Sequence, residues 1–193
     1  MDIIKNNIAN ILTISRLFLL PVIIALFYAE SSWGGFAIWL CLFFYIIASI
    51  TDYFDGYIAR KLNQISAFGT FLDPISDKIF VSSLLILLTA FGKIDGLWLI
   101  CVILIFAREF MISGLREFLG PKNVKVPVTR LAKWKTATQM LSLGFLIIGG
   151  YAPYAKELGL VLLLLATILT LITGLSYMIT GFRHMKDETE KDA

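Results

Sequence analysis

Six long apolar stretches limit the fold of this chain more than any other feature of its sequence. They cover residues 8–28, 36–59, 67–91, 97–119, 132–151 and 158–182. Each is long enough for a helix that crosses a bilayer, which takes about 20 residues, and none resembles the short alternating strands of a membrane barrel. Hydrophobic residues make up 58% of the chain, whereas soluble chains are about 45–50% apolar. The sequence therefore excludes a soluble domain and predicts an all-α, polytopic membrane protein with six transmembrane helices.

Lysine and arginine are distributed unevenly between the two ends of these six helices. Of the 17 basic residues, twelve fall on one side, three lie within or near the apolar stretches, and only Lys93 and Lys156 fall on the other side. Basic loops remain in the cytoplasm when a membrane protein inserts. We therefore predict that both termini and the loops at 60–66 and 116–135 are cytoplasmic.

The length of the chain leaves no room for a second sizeable domain, so we expect one transmembrane domain over 1–193 with a frayed tail at 186–193. The N-terminal segment has no basic targeting region, which predicts a retained first helix and favours a bacterial cytoplasmic membrane. Cys41 and Cys101 lie inside apolar stretches, so free thiols are expected in place of a disulfide framework. His184, the single histidine, lies after the last stretch and is not expected to act in catalysis.

Two pairs of aspartates stand at the neighbouring ends of the second and third apolar stretches. With about 100° per residue, Asp52 and Asp55 lie about 60° apart on one helix, and Asp73 and Asp77 about 40° apart on the next. Small residues on the same faces would let a bulky ligand approach the backbone closely. These small residues are Gly56, Ala59 and Gly69. A straight helix over 52–77 would hold the pairs about 37 Å apart at its ends, so we expect a turn at 60–64 that brings them side by side.

Four carboxylates close together need compensating positive charge, because an aspartate at the centre of a membrane helix costs about 2.5–3.5 kcal/mol. Too few cations are nearby to neutralise all four, which indicates metal binding. Carboxylate oxygens suit Mg²⁺ or Mn²⁺, and four of them are enough to share two ions. The alternative is that the aspartates cap helices or pair with Arg60, Lys61 and Lys78. That alternative explains one or two carboxylates but not four on small-residue faces.

The pattern Asp-x2-Asp-Gly-x2-Ala-Arg-x8-Gly-x3-Asp-x3-Asp over residues 52–77 resembles the signature of the CDP-alcohol phosphotransferase family. The resemblance implies six transmembrane helices, usually in a homodimer, and transfer of a phosphatidyl group from a CDP-lipid to an alcohol with release of CMP. Flanking segments at 10–16, 108–117 and 133–136 are most similar to members that use CDP-diacylglycerol and glycerol 3-phosphate. Members of the cardiolipin synthase type, or with serine or inositol phosphate as the acceptor, are the alternatives within the family.

The resemblance also implies roles for individual residues. Asp52, Asp55, Asp73 and Asp77 would hold two metal ions on the diphosphate of the donor, and Asp77 would in addition be the general base for the acceptor hydroxyl. The residues expected to contact the CDP-lipid are Gly56, Ala59, Arg60 and Gly69, with Asn10 and Thr13 from the first helix.

A phosphorylated acceptor also needs basic residues, and Arg108, Arg116, Lys133 and Lys135 are the candidates. Arg108 follows only eleven apolar residues of the fourth stretch, so it must lie at some depth. It lies about 80° from Arg116 around the helix, and arginine suits bidentate phosphate binding. Lys133 and Lys135 are about 200° apart, so only one of them can face the acceptor. The alternative for each residue is positive-inside charge attracted to anionic membrane lipids.

A metal or proton transporter is the main rival from another functional class, because membrane carboxylates often line ion pathways. Its carboxylates would lie near the bilayer midplane, often within inverted repeats. Here the carboxylates cluster toward the predicted cytoplasmic side, and the sequence contains no internal repeat. We therefore expect a membrane enzyme whose active site faces the cytoplasm, with membrane lipids around it and no nucleic-acid partner.

Overall fold

The computed structural model describes residues 8–62, 67–120 and 130–189, which form six α-helices. Their bounds are α1 Ile8–Trp33, α2 Gly35–Leu62, α3 Ala67–Ala90, α4 Leu99–Leu119, α5 Arg130–Ile147 and α6 Ala155–Thr189. A 3₁₀ turn, Gly96–Trp98, leads into α4. Side chains are described for residues 15–51, 71–72, 74–120, 131–179 and 181. The all-α prediction is confirmed, since the described residues contain no strand.

Among the residues whose side chains the structure describes, three helical segments are long and apolar enough to cross a membrane, and a fourth is apolar but shorter. The long segments are Ser15–Trp33, Gly96–Leu119 and Ala155–Ile179, and the shorter one is Gly35–Thr51. Large apolar side chains point outward from these helices, and Phe18, Phe43 and Leu175 are each more than half exposed. Apolar surface of this extent is unfavourable in water. The helices are therefore those of a membrane protein.

The chain divides into two compact units, of which the first contains the N-terminal half. It comprises Met1–Ile94 and Leu143–Glu157. Within it, α1 packs against both α2 and α3. Arg16 of α1 lies opposite Asp77 of α3, and further along α1 the ring of Phe27 lies 5.3 Å from that of Phe91, the residue that follows α3. From the first contact to the second, the residue number increases along both segments, so α1 and α3 run parallel to each other.

Two glycines make the turns at one end of this unit. Gly34, with φ 57°, is the single residue between α1 and α2. Gly92, with φ 67°, ends α3: its N–H donates to the carbonyl of Thr89, and the N–H of Lys93 donates to the carbonyl of Leu88 at 2.9 Å. This pair of hydrogen bonds is a Schellman motif, which requires a left-handed residue at the position of Gly92.

A polar network, which we call the loop clamp, connects the turns of the first unit and consists of Glu30, Lys93, Tyr151 and Lys156. Lys93 Nζ donates to Glu30 Oε1 at 3.0 Å and lies 5.4 Å from the centre of the Tyr151 ring. Lys156 Nζ donates to the carbonyl of Gly92 at 3.3 Å. Burial, a hydrogen bond with Glu30 and the charge of Glu30 raise the pKa of Tyr151 above its ordinary value. The sequence places Lys93 and Lys156 on the side of the membrane that has few basic residues. In the structure both lysines lie at the same group of turns, within the loop clamp.

The second unit contains α4, most of α5 and most of α6. It comprises Asp95–Ser142 and Leu158–Ala193. Small residues bring its helices close together: a Cβ added at Gly181 of α6 would lie 2.8 Å from the side chain of Leu115 of α4. Ser142 Oγ of α5 donates to the carbonyl of Gly159 of α6 at 2.8 Å. α6 is therefore held closely against both neighbouring helices of this unit.

The two cysteines lie in different units, and both are buried. Cys41 is completely inaccessible within α2, and Cys101 is nearly so within α4. Both are free thiols, so the prediction that they pack as small apolar residues is confirmed.

We predict that removing Lys93 destabilises the detergent-purified protein. The Lys93→Met variant leaves the carboxylate of Glu30, whose side chain is only 20% exposed, without its ammonium partner. Its free energy of unfolding should fall by about 1–2 kcal/mol, between the values for surface pairs and for buried ones. Thermal unfolding followed by circular dichroism measures the effect.

The control is a double-mutant cycle. In a Glu30→Gln background, Lys93→Met should cost much less than it does in the original chain. Glu157→Gln removes an exposed carboxylate at the start of α6 and should leave the Tm unchanged. Equal Tm values for Glu30→Gln and Glu157→Gln would contradict the loop clamp.

Candidate functional site

The four predicted metal ligands lie on two consecutive helices, near the ends that face each other along the chain. Asp52 and Asp55 belong to α2, and Asp73 and Asp77 belong to α3. The residues expected to contact the CDP-lipid lie on the same two helices and on α1: Gly56, Ala59, Arg60 and Gly69, with Asn10 and Thr13. Among all of these, Asp77 is the one whose side chain is described. The others lie outside the described side chains, and their roles stay predictions.

Asp77 lies beside a buried arginine of α1. Arg16 Nη1 is 4.0 Å from Asp77 Oδ1; the Arg16 side chain is 3% exposed and that of Asp77 49%. The guanidinium thus attracts the carboxylate from the protein side, while half of the Asp77 side chain remains accessible to a ligand. Sequence reasoning gave Arg16 no role, although a charge inside an apolar stretch was a signal for one.

Aromatic packing fixes α2 against α3 within one turn of Asp77. The ring of Tyr45 stacks on that of Phe80, with centroids 6.1 Å apart and planes 6° from parallel. Ser76 is fully buried beside Asp77 in the sequence. A Cβ added at Gly144 of α5 would lie 3.3 Å from the Tyr45 ring, so glycine at this position lets the α5 backbone approach Tyr45 closely. The carboxylate of Asp77 therefore stands on a well-packed part of the first unit.

In the second unit, two buried cations share one carboxylate. Arg108 Nη1 donates to Glu109 Oε1 at 3.2 Å, and Lys135 Nζ of α5 donates to the same oxygen. Arg108 Nη2 also donates to Thr173 Oγ1 of α6 at 3.3 Å. The side chains of Arg108 and Lys135 are each only 10% exposed. Glu109 therefore holds together two helices at the position where the sequence predicts a site for the acceptor phosphate.

A second arginine joins this group through an aromatic ring of α6. The guanidinium carbon of Arg116 lies 5.2 Å from the centre of the Tyr177 ring, and that of Arg108 lies 5.9 Å from the same centre. Lys133, in contrast, is exposed, as its 200° separation from Lys135 requires. Three of the four predicted residues therefore come together. We call Arg108, Arg116 and Lys135 the basic cluster.

The basic cluster carries more positive charge than its own acid neutralises. Three cations and the carboxylate of Glu109 sum to a net charge of +2 over these four side chains. In addition, Arg108 Nε is buried, and no described residue accepts a hydrogen bond from it. Buried cations are stable when hydrogen-bonded anions balance them. Arg108 and Lys135 are buried with one carboxylate between them, and the exposed Arg116 adds a further positive charge, so the cluster is chemically suited to bind an anion.

Several residues of this region were missed by the sequence reasoning as members of a site: Glu109, Thr173 and Tyr177. Glu109 belongs to the tripeptide Arg-Glu-Phe at 108–110, which occurs again at 116–118, and this recurrence was a signal that could have identified it. Thr173 and Tyr177 lie in the last apolar stretch, 65 residues and more beyond Arg108. Nothing in their local sequence distinguishes them from ordinary polar and aromatic residues of a membrane helix.

Comparison with known proteins identifies a single family. A family model described as CDP-alcohol phosphatidyltransferase matches residues 6–175. Curated relatives bear the name "CDP-diacylglycerol--glycerol-3-phosphate 3-phosphatidyltransferase". The relative from Rickettsia prowazekii is 47% identical over 177 residues, which cover 90% of this chain and 94% of the relative. That from Cereibacter sphaeroides is 36% identical, covering 94% and 98%, and that from Haemophilus influenzae is 38% identical, covering 90% and 92%.

We predict that Glu109 is essential to the stability of the second unit. The Glu109→Gln variant leaves Arg108 and Lys135 buried without their carboxylate, which should lower the free energy of unfolding by about 1–3 kcal/mol. The Tm in detergent measures this loss. Glu117→Gln, at an exposed position of the same helix, is the matched control and should leave the Tm unchanged. Indistinguishable Tm values for the two variants would show that Glu109 does not balance the buried cations.

Proposed function

Since the chain belongs to the CDP-alcohol phosphatidyltransferase family, we propose that it transfers the phosphatidyl group of CDP-diacylglycerol to glycerol 3-phosphate. The products are phosphatidylglycerophosphate and CMP, in a step of phospholipid synthesis. The main support is the match over almost the full length of relatives whose printed name states this reaction. The complete aspartate pattern over residues 52–77 supports the transfer from a CDP-lipid that is common to the family.

The aspartate pattern fits divalent metal ions chemically. Asp52, Asp55, Asp73 and Asp77 would offer carboxylate oxygens, which are the ligands that Mg²⁺ and Mn²⁺ prefer. The half-exposed side chain of Asp77 agrees with a carboxylate that is open to a ligand. When bound, two such ions would neutralise the diphosphate of the donor and stabilise the leaving CMP.

The remaining chemistry requires one proton transfer and the correct orientation of the acceptor. The acceptor hydroxyl oxygen forms a bond with the phosphorus of the phosphatidyl group, and the bond from this phosphorus to the CMP oxygen breaks. In our proposal Asp77 takes the hydroxyl proton as the general base, and Arg16 holds the carboxylate from its buried side. Gly56, Ala59 and Gly69 leave space for the donor beside the helix backbones, with Arg60, Asn10 and Thr13 as its polar contacts.

The charge of the basic cluster supports an acceptor that carries a phosphate monoester. A phosphate monoester such as glycerol 3-phosphate carries a charge of about −1.5 to −2 near pH 7, which matches the net charge of +2 over Arg108, Arg116, Lys135 and Glu109. A phosphodiester such as phosphatidylglycerol carries about one negative charge, and serine has no net charge. Inositol phosphate has the same charge as glycerol 3-phosphate, so charge does not discriminate between these two acceptors.

We also propose six membrane spans, with both termini and the active site on the cytoplasmic side, in the cytoplasmic membrane of a bacterium. Twelve basic residues on one predicted side against Lys93 and Lys156 on the other support this orientation. The bacterial relatives support the location. The family resemblance supports a homodimer, and the family match over residues 6–175 supports a single catalytic domain over 1–193.

The first test of the function is an acceptor competition with the purified protein in detergent micelles that contain CDP-diacylglycerol. We predict release of CMP that depends on Mg²⁺ or Mn²⁺ and on glycerol 3-phosphate. Serine and phosphatidylglycerol should support less than about a tenth of that rate, since a charge mismatch removes charge-assisted hydrogen bonds worth more than 1.4 kcal/mol. CMP release with inositol phosphate alone would reassign the acceptor. Ion flux in proteoliposomes without turnover would favour a transporter.

We further predict that Asp73→Asn abolishes turnover without unfolding the protein. The amide keeps the size of the side chain but loses the charge that would hold a divalent ion, so kcat should fall by about 100-fold or more. The rate of CMP release and the Tm are both measured. Asp95→Asn, in the turn before α4, is the control and should retain full activity. Normal activity of the Asp73→Asn variant would exclude Asp73 as a metal ligand.

A further inference from the structure

We propose that three residues of α6, namely Thr173, Gly174 and Tyr177, are positioning residues that orient the two arginines of the basic cluster toward one phosphate group. The inference rests on the proposed function, since it takes the phosphorylated acceptor as the natural ligand. It extends the site to a helix that contributes nothing to the aspartate pattern of residues 52–77. Four contacts within the second unit carry it.

Gly174 gives Arg108 the space that it occupies. A Cβ added at Gly174 would lie 2.9 Å from Arg108 Cγ and 3.4 Å from Nε. Real Cβ atoms do not approach other atoms to 2.9 Å, and the contacted atom is near the base of the arginine side chain, so any larger residue would displace Arg108. Thr173 is the neighbouring residue, and its Oγ1 accepts a hydrogen bond from Arg108 Nη2 at 3.3 Å. Together they fix both the stem and one end of the guanidinium.

Tyr177 is one turn further along the same helix and is only 3% exposed. Its ring lies within 6 Å of the guanidinium carbons of both Arg108 and Arg116. Two guanidinium groups repel each other, and the negative face of an aromatic ring offsets part of that repulsion. The ring therefore lets two positive groups stay close together before any anion has bound, which reduces the cost of binding the anion.

The hydrogen-bond donors of Arg108 and Arg116 indicate that the two arginines are arranged for a phosphate. Nη1 and Nη2 are engaged by Glu109 and Thr173, and Nε is buried without an acceptor among the described residues. The Arg116 side chain is exposed apart from its contact with Tyr177. A single phosphate has enough oxygens to accept hydrogen bonds from two arginines. The α6 residues therefore set the spacing of the donors and need not touch the ligand themselves.

The test compares Tyr177→Leu with Tyr177→Phe and uses inorganic phosphate as a probe that requires no turnover. Thermal unfolding is followed with and without about 100 mM phosphate, which is in excess of a millimolar Kd. Chloride at the same ionic strength replaces phosphate in the reference sample. We expect phosphate to raise the Tm of the original chain and of Tyr177→Phe, which keeps the ring. Tyr177→Leu should lose this rise, because leucine keeps an apolar side chain at this position but offers no aromatic face. Tyr154→Leu, at an exposed position in the first unit, is the matched control.

Steady-state kinetics provide the second measurement. Tyr177→Leu should raise the KM for glycerol 3-phosphate by about 5- to 30-fold, the range expected when a ring that faces one buried and one exposed guanidinium is lost. The KM for CDP-diacylglycerol and kcat should stay within about twofold. Gly174→Ala, which displaces Arg108 without removing any charge, should change the same KM in the same direction.

The two measurements separate this inference from the proposed function. If phosphate fails to stabilise the original chain, or stabilises Tyr177→Leu equally, the inference is wrong whatever reaction the protein catalyses. If phosphate binding depends on the ring but glycerol 3-phosphate is no acceptor, the inference stands and the proposed acceptor is wrong. A Tyr177→Leu variant with a lower kcat, a higher KM for both substrates and a lower Tm would show that the role of Tyr177 is purely structural.

Discussion

The structure depends on one electrostatic constraint: an ionised group inside an apolar helix bundle must have an opposite charge or several hydrogen bonds close by. Among the side chains that the structure describes, three groups of residues meet this requirement in different ways. Glu30 and Lys93 form a one-to-one pair at the turns of the first unit. Arg16 lies beside an aspartate that remains half exposed. Arg108 and Lys135 share Glu109, which leaves an excess of positive charge. The degree of compensation thus distinguishes a structural pair from a region that is suited to a ligand.

Hydropathy alone was sufficient to locate the helices. The six apolar stretches correspond one by one to α1–α6, and most helix ends lie within about five residues of the predicted limits. The largest differences are the ends of α1 and α6, which continue past Tyr28 and Phe182 through polar residues. Such extensions are invisible to hydropathy, because a helix continues wherever its hydrogen bonds are satisfied, whether its residues are apolar or charged.

The candidate sites were predictable to different degrees. Helix geometry was enough to separate Lys133 from Lys135, since two residues 200° apart cannot share an environment. It was not enough to determine which of them is buried, because that depends on Glu109 of another helix. The contacts of Arg108 with Thr173 and Tyr177 were beyond prediction, since they join residues that are far apart in the sequence. Local patterns identify chemistry within a helix, whereas the packing of helices determines which of these groups meet.

The loop clamp has a consequence for the order in which the protein assembles. Glu30 and Lys93 are 63 residues apart, so their hydrogen bond cannot form until α1, α2 and α3 have all been synthesised. Tyr151 and Lys156 follow only after α4 and α5 and then complete the network around Lys93 and Gly92. During synthesis the polar contact among the first three helices can therefore form first, and the segment that joins α5 to α6 can contact them only later. The sequence separations within the clamp therefore set the order in which its contacts become available, with the pair of Glu30 and Lys93 first and the contacts of Tyr151 and Lys156 second.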